Sequence, residues 1–320
     1  MIRKLIQALA CLACSASMAL AQSYPDKPIT LVQGFAAGGN ADTIARIMAQ
    51  ALSRELGQPI VVEAKTGAGG NVASGAVARA RADGYTLILM TGGHAVSAAM
   101  YKSLAFDPVE DFDWLSMVTR FPFVLATAAD SPYKTVADVI RIARSAPGTV
   151  SFSSVGVGST QHLSGELLQS MAGIELNHIP YRGGAAPLQD VLARRVDLMF
   201  DSVTVTKAQI EAGKLRALGV TSLESSPFLP GVAPLREAVK DFEVTSWTAL
   251  AGPRGMPAEV VQKLSQATQK VLNDPAVIKQ LEGTGGLASP SNRGADMKRH
   301  VNTQIGQWKR VVQQANIPQQ

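Results

Sequence analysis

The stretch Ile29-Thr-Leu-Val-Gln33, followed directly by Gly34-Phe-Ala-Ala-Gly-Gly-Asn-Ala-Asp42, decides the fold. The first five residues predict a short buried strand, and the glycine-rich segment predicts a turn. Apolar residues at helical spacing then predict a helix near 42–56, which Gly57 ends. A strand, a glycine-rich turn and a helix in this order are typical of a parallel α/β sheet.

The same order recurs along the chain, which predicts an α/β protein. A helix of small residues, ending near Ala82, is expected between two further strands. From Val244 onward the pattern is mostly helical, and the last helix carries five apolar residues on one face: Met297, Val301, Ile305, Trp308 and Val312. The additional strands are predicted at Pro59–Val62, Tyr85–Met90, Phe123–Thr127, Val150–Ser153, Leu176–Ile179, Leu198–Phe200 and Leu215–Val220.

The helical tail is expected to return and pack on the first zone, so that the chain crosses twice between two lobes. The crossings are expected near residues 120–124 and 244–247. Residues 22–122 plus 248–320 would then form lobe 1, and residues 123–247 would form lobe 2. The cleft between two such lobes is a common place for a ligand.

Residues 1–21 have the pattern of a cleavable secretory signal peptide. Arg3 and Lys4 precede an uncharged, mostly apolar run from Leu5 to Leu20, and small residues then allow cleavage before Gln22. A membrane anchor is the alternative, but this run of 16 residues is shorter than the roughly 20 that span a bilayer. The sequence therefore predicts export, most simply to the periplasm.

Composition limits what the exported chain does. Without residues 1–21 it keeps 299 of 320 residues and a formal charge of +3 instead of +5, because Arg3 and Lys4 leave. Cys11 and Cys14 leave too, so disulfides and thiolate chemistry are excluded. The 30 Lys and Arg residues are scattered, and a nucleic acid is therefore not an expected partner. We expect a monomer.

Two glycine-rich turns indicate a site for an anion. One is Gly34–Asp42, and the other is Ser154-Val-Gly-Val-Gly-Ser-Thr-Gln-His162, which stands between a strand and a helix in the predicted second lobe. Each ends at a helix N-terminus, where free N–H groups and the helix dipole attract negative charge. The alternative is two ordinary tight turns with helix caps, for which Asp42 and Thr160 are suitable residues.

Signals for catalysis are few. Gly67-Ala-Gly-Gly70 follows a strand, but the third glycine of a dinucleotide fingerprint is replaced by Val72, and a structural turn is the favoured interpretation. The four histidines lack the spacing of a zinc helix, and the sequence contains neither a P-loop nor a Gly-x-Ser-x-Gly elbow. Asp201 ends a predicted strand, where it either meets a ligand or caps the next helix. No enzyme activity, cofactor or metal is expected.

The combined motifs resemble the Bug-type substrate-binding proteins of the tripartite tricarboxylate transporter family. The resemblance covers roughly Tyr24 to the end of the chain. The segments that carry it are Tyr24–Thr30, Phe35–Asp42, Gly67–Asn71, Asp83–Leu87, Gly158–Leu163, Ile179–Gly183 and Trp247–Pro253. It implies a type II periplasmic-binding-protein fold, with two lobes that each hold a doubly wound, mainly parallel sheet, two crossover strands and a cleft between the lobes.

The resemblance also implies a function. The protein would capture a small carboxylate (a di- or tricarboxylate, an acidic amino acid or an aromatic acid) and deliver it to a membrane permease. Phe35 would cover the ligand, Ser159 and Thr160 would donate hydrogen bonds, and Asp201 would select a ligand amine or hydroxyl. The full set of implied ligand-binding residues is Phe35, Ala37, Gly38, Gly39, Asn40, Thr91, Gly158, Ser159, Thr160, His162 and Asp201.

Two alternatives stay open, a periplasmic sensing subunit and an exported hydrolase or isomerase that uses Asp201 and His162. The segment Thr91-Gly-Gly-His-Ala95 departs from the family pattern in a loop expected to face the cleft. A ligand contact of His94 is therefore also left open.

Overall fold

Strands and helices alternate along residues 24–289 and 293–320, which the computed structural model describes. The predicted signal peptide lies outside the described residues. Among them, no helix is long and apolar enough to cross a membrane.

Ten strands form the sheets of the described chain. In chain order they are β1 Ile29–Gln33, β2 Ile60–Ala64, β3 Thr86–Thr91, β4 Phe112–Ala128, β5 Ser151–Ser154, β6 Asn177–Pro180, β7 Leu198–Ser202, β8 Leu215–Val220, β9 Thr245–Pro253 and β10 Leu287–Ala288.

Ten α-helices of the described chain pack on these sheets. They are α1 Asn40–Leu56, α2 Asn71–Ala78, α3 Gly93–Met100, α4 Val136–Ser145, α5 Thr160–Ala172, α6 Ala186–Leu192, α7 Val203–Glu211, α8 Ala258–Leu272, α9 Pro275–Gly283 and α10 Gly294–Gln314. Two short 3₁₀ helices cover Ala68–Gly70 and Leu235–Glu237.

The long strand β4 belongs to both halves of the molecule. Up to Pro122 it pairs antiparallel with β9, and from Phe123 it pairs antiparallel with β7 and β8. This change of partners divides nine of the strands into two groups with orders β2-β1-β3-β9-β4 and β6-β5-β7-β4-β8. The short strand β10 pairs with β4 at Thr119 and Arg120, in its first part. The central pairs β1–β3 and β5–β7 are parallel, as predicted. The same arrangement of strands therefore occurs twice.

The structure places both crossings near the residues where the sequence predicts them. Residue 122 is the last of β4 to pair with β9. On the return, the Val244 N–H donates to the Thr221 carbonyl in the second group, and the next residue begins β9. The exact lobe boundaries stay a prediction.

The helical tail returns to the first group, as predicted. Helix α8 packs on α1 and β4, and α10 packs on α3 and β4. The five apolar residues predicted to share one face of α10 are all buried. Packing of this face therefore completes the core of the first lobe.

Two segments differ from the prediction. Strand β4 begins at Phe112 rather than Phe123, because its near-continuous burial removes the alternation that marks a half-exposed strand. The segment expected as a loop after Thr91 becomes α3 from Gly93 onward. His94 in that helix is 5% exposed and packs among Phe106, Phe112 and Trp114.

The packing of α5 on β5 gives a test of the fold. A Cβ atom at Gly165 would lie 2.1 Å from the buried Phe152 ring, whereas one at Gly306 in α10 would meet only Arg310 at 3.9 Å. We expect Gly165→Ala to lower the free energy of unfolding by about 1–3 kcal/mol through overpacking. Gly306→Ala, the matched control, should raise it by about 0.5–1 kcal/mol through helix propensity. Urea unfolding of both variants measures the difference, and equal values would contradict the packing.

Candidate ligand-binding site

A pocket lies between the two groups of strands. Its described lining residues are Phe35, Gly39, Asn40, Ala41, Thr91, Phe121, Phe123, Val155, Thr160, Gln161, Gly183, Gly184, Asp201 and Ser246. All but three of them follow or end β1, β3, β5, β6 and β7, so the pocket lies beyond the carboxyl ends of these strands, where ligands of open α/β sheets bind. The other three, Phe121, Phe123 and Ser246, lie on β4 and β9.

The first side of the pocket is the N-terminus of α1. The Gln33 side chain fixes the preceding turn, because its Oε1 accepts the Phe35 N–H at 2.8 Å and its Nε2 donates to the Phe35 carbonyl at 2.7 Å. Asp42 accepts the Gly38 N–H at 3.2 Å. The N-cap residue Gly39 provides no side-chain hydrogen bond, so the first N–H groups of α1 have no cap from it.

The second side is the N-terminus of α5. Ser159 is its N-cap and accepts the His162 N–H at 3.2 Å. Ser154 holds the turn, since its hydroxyl accepts the Gly156 N–H at 3.1 Å and lies 2.7 Å from His178 Nε2. Thr160 and Gln161, the first residues of the helix, line the pocket. Two helix N-termini therefore border one pocket and give it a positive potential without charged side chains.

Asp201, near the end of β7, is the one ionisable residue among the described residues of the lining. It is 3% exposed. Its Oδ1 accepts the Ser202 N–H at 2.7 Å, and the Ser202 hydroxyl lies at 3.4 Å. Burial raises the pKa of Asp201 to about 7, although hydrogen bonds from Ser202 and Gln161 act in the opposite direction.

The structure brings six of the predicted site residues together in the lining: Phe35, Gly39, Asn40, Thr91, Thr160 and Asp201. Ala37 and Gly38 lie on the exposed outer side of the first turn. Gly158 lies behind the second turn, where its carbonyl accepts the Ser97 hydroxyl at 3.2 Å. Ser159 caps α5.

His162 stands beside the pocket rather than in its described lining. It stacks on His178 at 4.3 Å between ring centroids, and its Nδ1 lies 3.4 Å from the Gly158 backbone nitrogen, which donates to it. Burial lowers the pKa of His162 to about 3, and the neighbouring His178 contributes to the shift. Burial likewise lowers the pKa of His178, to about 4. Both rings are therefore neutral at neutral pH and support the second turn.

His94 is a core residue of lobe 1. Its Nδ1 lies 3.1 Å from the Ser74 hydroxyl, its Nε2 lies 2.7 Å from the Pro108 carbonyl, and burial lowers its pKa to about 4. It is absent from the described lining of the pocket between the lobes, although it borders a smaller cavity behind Phe35. No group of three metal-ligating side chains occurs in the part of the chain that the structure describes.

Sequence reasoning missed eight lining residues: Ala41, Phe121, Phe123, Val155, Gln161, Gly183, Gly184 and Ser246. Phe121, Phe123 and Ser246 lie on the crossing segments of β4 and β9, and no residue pattern marks them as ligand contacts. Gly183-Gly184 was detectable, because it is a further glycine-rich turn between a strand and a helix.

The two lobes touch each other around the pocket. The Ala36 N–H donates to the Arg182 carbonyl at 3.0 Å, which is a backbone hydrogen bond between the lobes. At Gly69, with φ +63°, a Cβ atom would lie 2.7 Å from the Val157 carbonyl oxygen of the other lobe. The Thr204 hydroxyl lies 2.5 Å from the Asn40 side-chain oxygen. The lobes are therefore closed, and glycine allows the approach.

A repeated strand order, a pocket between the two copies and two helix N-termini beside it define a two-lobed binding protein. Three solved structures confirm the predicted type II periplasmic-binding-protein fold. The periplasmic binding protein BugD has a TM-score of 0.88 and 33% identity, covering 93% of this chain and all of BugD. An R. palustris protein solved with adipate has a TM-score of 0.88 and 34% identity, with the same coverage. MatC from Rhodopseudomonas palustris, solved with bound malate, has a TM-score of 0.86 and 32% identity, covering 90% of this chain and all of MatC.

The family follows from the sequence. Residues 44–317 match TctC, the Tripartite tricarboxylate transporter family receptor. The chain belongs to this family of Bug-type solute-binding proteins, as the resemblance predicted.

The buried imidazoles predict an acid-dependent stability. A histidine whose pKa is lowered on folding binds a proton in the unfolded chain but not in the folded one, so stability is lost as pH falls below about 6.5. For His162 the loss approaches about 1.4 kcal/mol per pH unit between pH 6 and pH 4.5. We expect His162→Gln to be less stable at pH 7 but to have a shallower dependence on pH. Urea unfolding across this range measures the slopes, and identical slopes would contradict a neutral, buried His162.

Proposed function

We propose that this chain is an extracytoplasmic solute-binding protein that captures a small carboxylate between its lobes without catalysis. The observation that carries the proposal is the meeting of two helix N-termini, one from each lobe, at a single pocket. A carboxylate placed there would accept hydrogen bonds from N–H groups of both lobes at once. It would thereby stabilise the closed arrangement, because the lobes share its two oxygens.

The ligand-binding residues that the resemblance implies would contribute in different ways. Gly39 and Asn40 would bring the N-terminus of α1 to the ligand. Thr160 would bring the N-terminus of α5 and its own hydroxyl, and Phe35 would cover the ligand. Thr91 and Asp201 would contact the rest of the molecule. Ala37, Gly38, Gly158, Ser159 and His162 would support the turns. We propose residues 22–122 plus 248–320 and residues 123–247 as the two lobes that close.

Relatives support the ligand class. MatC has bound malate and the R. palustris protein has adipate, and both are small dicarboxylates. We propose a di- or tricarboxylate, an acidic amino acid or an aromatic acid for this chain. We also propose that residues 1–21 direct export to the periplasm. There the protein, as a monomer, would deliver the bound carboxylate to a tripartite tricarboxylate-type permease. The family description, a receptor of that transporter family, supports the partner.

Titration calorimetry with a panel of carboxylates that includes malate and adipate tests the proposal. A binding carboxylate at 100 times its Kd should raise the free energy of unfolding by about 2.7 kcal/mol. Thr160→Val should weaken binding about 10- to 100-fold, since one hydrogen bond to a charged group is lost. Thr303→Val, at an exposed helix position, is the matched control and should bind normally. A panel without any binding would overturn the proposal.

Closure is tested separately at Gly69. Gly69→Ala should lower the free energy of unfolding by about 1–2 kcal/mol, because position 69 has a left-handed backbone conformation. The control Gly213→Ala should lower it by a similar amount, since Gly213 has φ +67° but nothing lies within 4 Å of the new Cβ. Only Gly69→Ala adds a clash with the other lobe. Small-angle scattering at saturating carboxylate should therefore show a larger radius of gyration for this variant alone. Equal radii for both variants would contradict the role of the contact.

A further inference from the structure

The Thr204 hydroxyl connects three elements beside the pocket. Thr204 is the second residue of α7, in the second lobe. Its Oγ1 lies 2.5 Å from the Asn40 side-chain oxygen and 2.6 Å from the Thr284 carbonyl oxygen. Asn40 begins α1 and lines the pocket, whereas Thr284 directly follows α9. One side chain of the second lobe therefore meets two elements of the first lobe, and one of these borders the ligand site.

Close packing holds Thr204 at this position. Thr284 is buried, and the next residue is Gly285, with φ +80°. A Cβ atom at Gly285 would lie 2.2 Å from the Cβ of Val203, the buried residue that precedes Thr204. The C-terminal end of α9 and the N-terminal end of α7 also carry opposite partial charges, which favour their contact. The backbone after α9 thus rests directly on the start of α7.

The number of available protons fixes the direction of these hydrogen bonds. A hydroxyl has one proton and two lone pairs, so Thr204 donates to only one of the two oxygens. The Thr284 carbonyl is an obligate acceptor, and Thr204 is the only donor to it among the residues that the structure describes. The Asn40 carboxamide can instead exchange its oxygen and nitrogen by a half-turn and donate to Thr204. This direction satisfies all three groups, whereas the opposite one leaves the Thr284 carbonyl without a donor.

We infer that Thr204 is a positioning residue that couples closure of the lobes to the orientation of Asn40 in the pocket. In the closed arrangement, α7 brings the Thr204 hydroxyl to the Asn40 carboxamide and fixes it beside the ligand. When the lobes separate, Asn40 and the Thr284 carbonyl would both lose this partner. The inference rests on the proposed function and deepens it, because it names a residue outside the pocket lining that holds the ligand in place.

The rates of ligand binding, measured by surface plasmon resonance, test this role. Malate and adipate are the first probes, and the tightest binder of the wider carboxylate panel replaces them if neither binds. Thr204→Val should raise the dissociation rate about 5- to 30-fold, because the contact exists only between closed lobes. The association rate should change much less, since the ligand enters before this contact forms. Thr204→Ser keeps the hydroxyl and should dissociate like the unmutated protein.

Thr206→Val is the matched control on the same helix. The Thr206 hydroxyl donates to the Ser202 carbonyl at 3.0 Å, so its hydrogen bond stays within the second lobe. This variant also removes a buried hydroxyl, but it leaves the contact between the lobes intact. Its dissociation rate should therefore equal that of the unmutated protein.

A double-mutant cycle separates the positioning of Asn40 from a general loss of contact between the lobes. Asn40→Ala removes the carboxamide through which Thr204 acts on the ligand. In this background, Thr204→Val should raise the dissociation rate by a smaller factor than in the unmutated protein. The factor falls because only the hydrogen bond to Thr284 is then left to lose.

The outcomes distinguish this inference from the proposed function. An unchanged dissociation rate in Thr204→Val, or an increase that Thr204→Ser or Thr206→Val shares, would overturn the inference. Equal factors in the two backgrounds of the cycle would also overturn it, because Thr204 would then act without Asn40. These results leave the proposed function intact, since the ligand still binds. A lack of binding by the unmutated protein across the whole panel would overturn the function and the inference together.

Discussion

The first N–H groups of a helix have no partner within the helix, and this constraint organises the whole site. Each such group must find a side chain, water or a ligand. In α1 the N-cap is Gly39, which has no side chain, and Asp42 is directed to the Gly38 N–H and to Arg46. The turn is thus held from behind, while the N-terminus stays available on the side of the pocket. The repeated strand order brings the N-terminus of α5 to the same pocket from the other lobe.

This arrangement depends on close contact between backbones. Ala36 forms a bridge with Gly183 across the cleft, and a Cβ atom at Gly184 would lie 2.6 Å from the Ala37 carbonyl oxygen. Side chains at these positions would keep the lobes apart, and a ligand could then reach one helix but not both. The glycines of this protein therefore serve two purposes: some shape the turns within a lobe, and others allow the lobes to meet.

Much of this could be predicted from the sequence, because local patterns encode it. Ile29–Asp42 shows a strand, a turn and the start of a helix in consecutive residues, so both the fold class and one side of the site followed from it. Phe121, Phe123 and Ser246 lie within the two predicted crossings, but no residue pattern shows which side chains of these segments line the pocket. Ala37 and Gly38 show the opposite limit: a motif identifies a turn, but it does not say which of its residues face outward.

A division of roles between backbone and side chains explains how one fold can serve different ligands. Backbone N–H groups at two helix ends bind any carboxylate in much the same way, so they fix the class of ligand and contribute little to the choice within it. Selection must then come from side chains that take no part in folding the turns. Thr91 and Asp201, at the ends of β3 and β7, are such residues. Under the proposed function, a change at either position would alter which ligand the pocket prefers, while the paired helices, the glycine contacts and the strand order would stay the same.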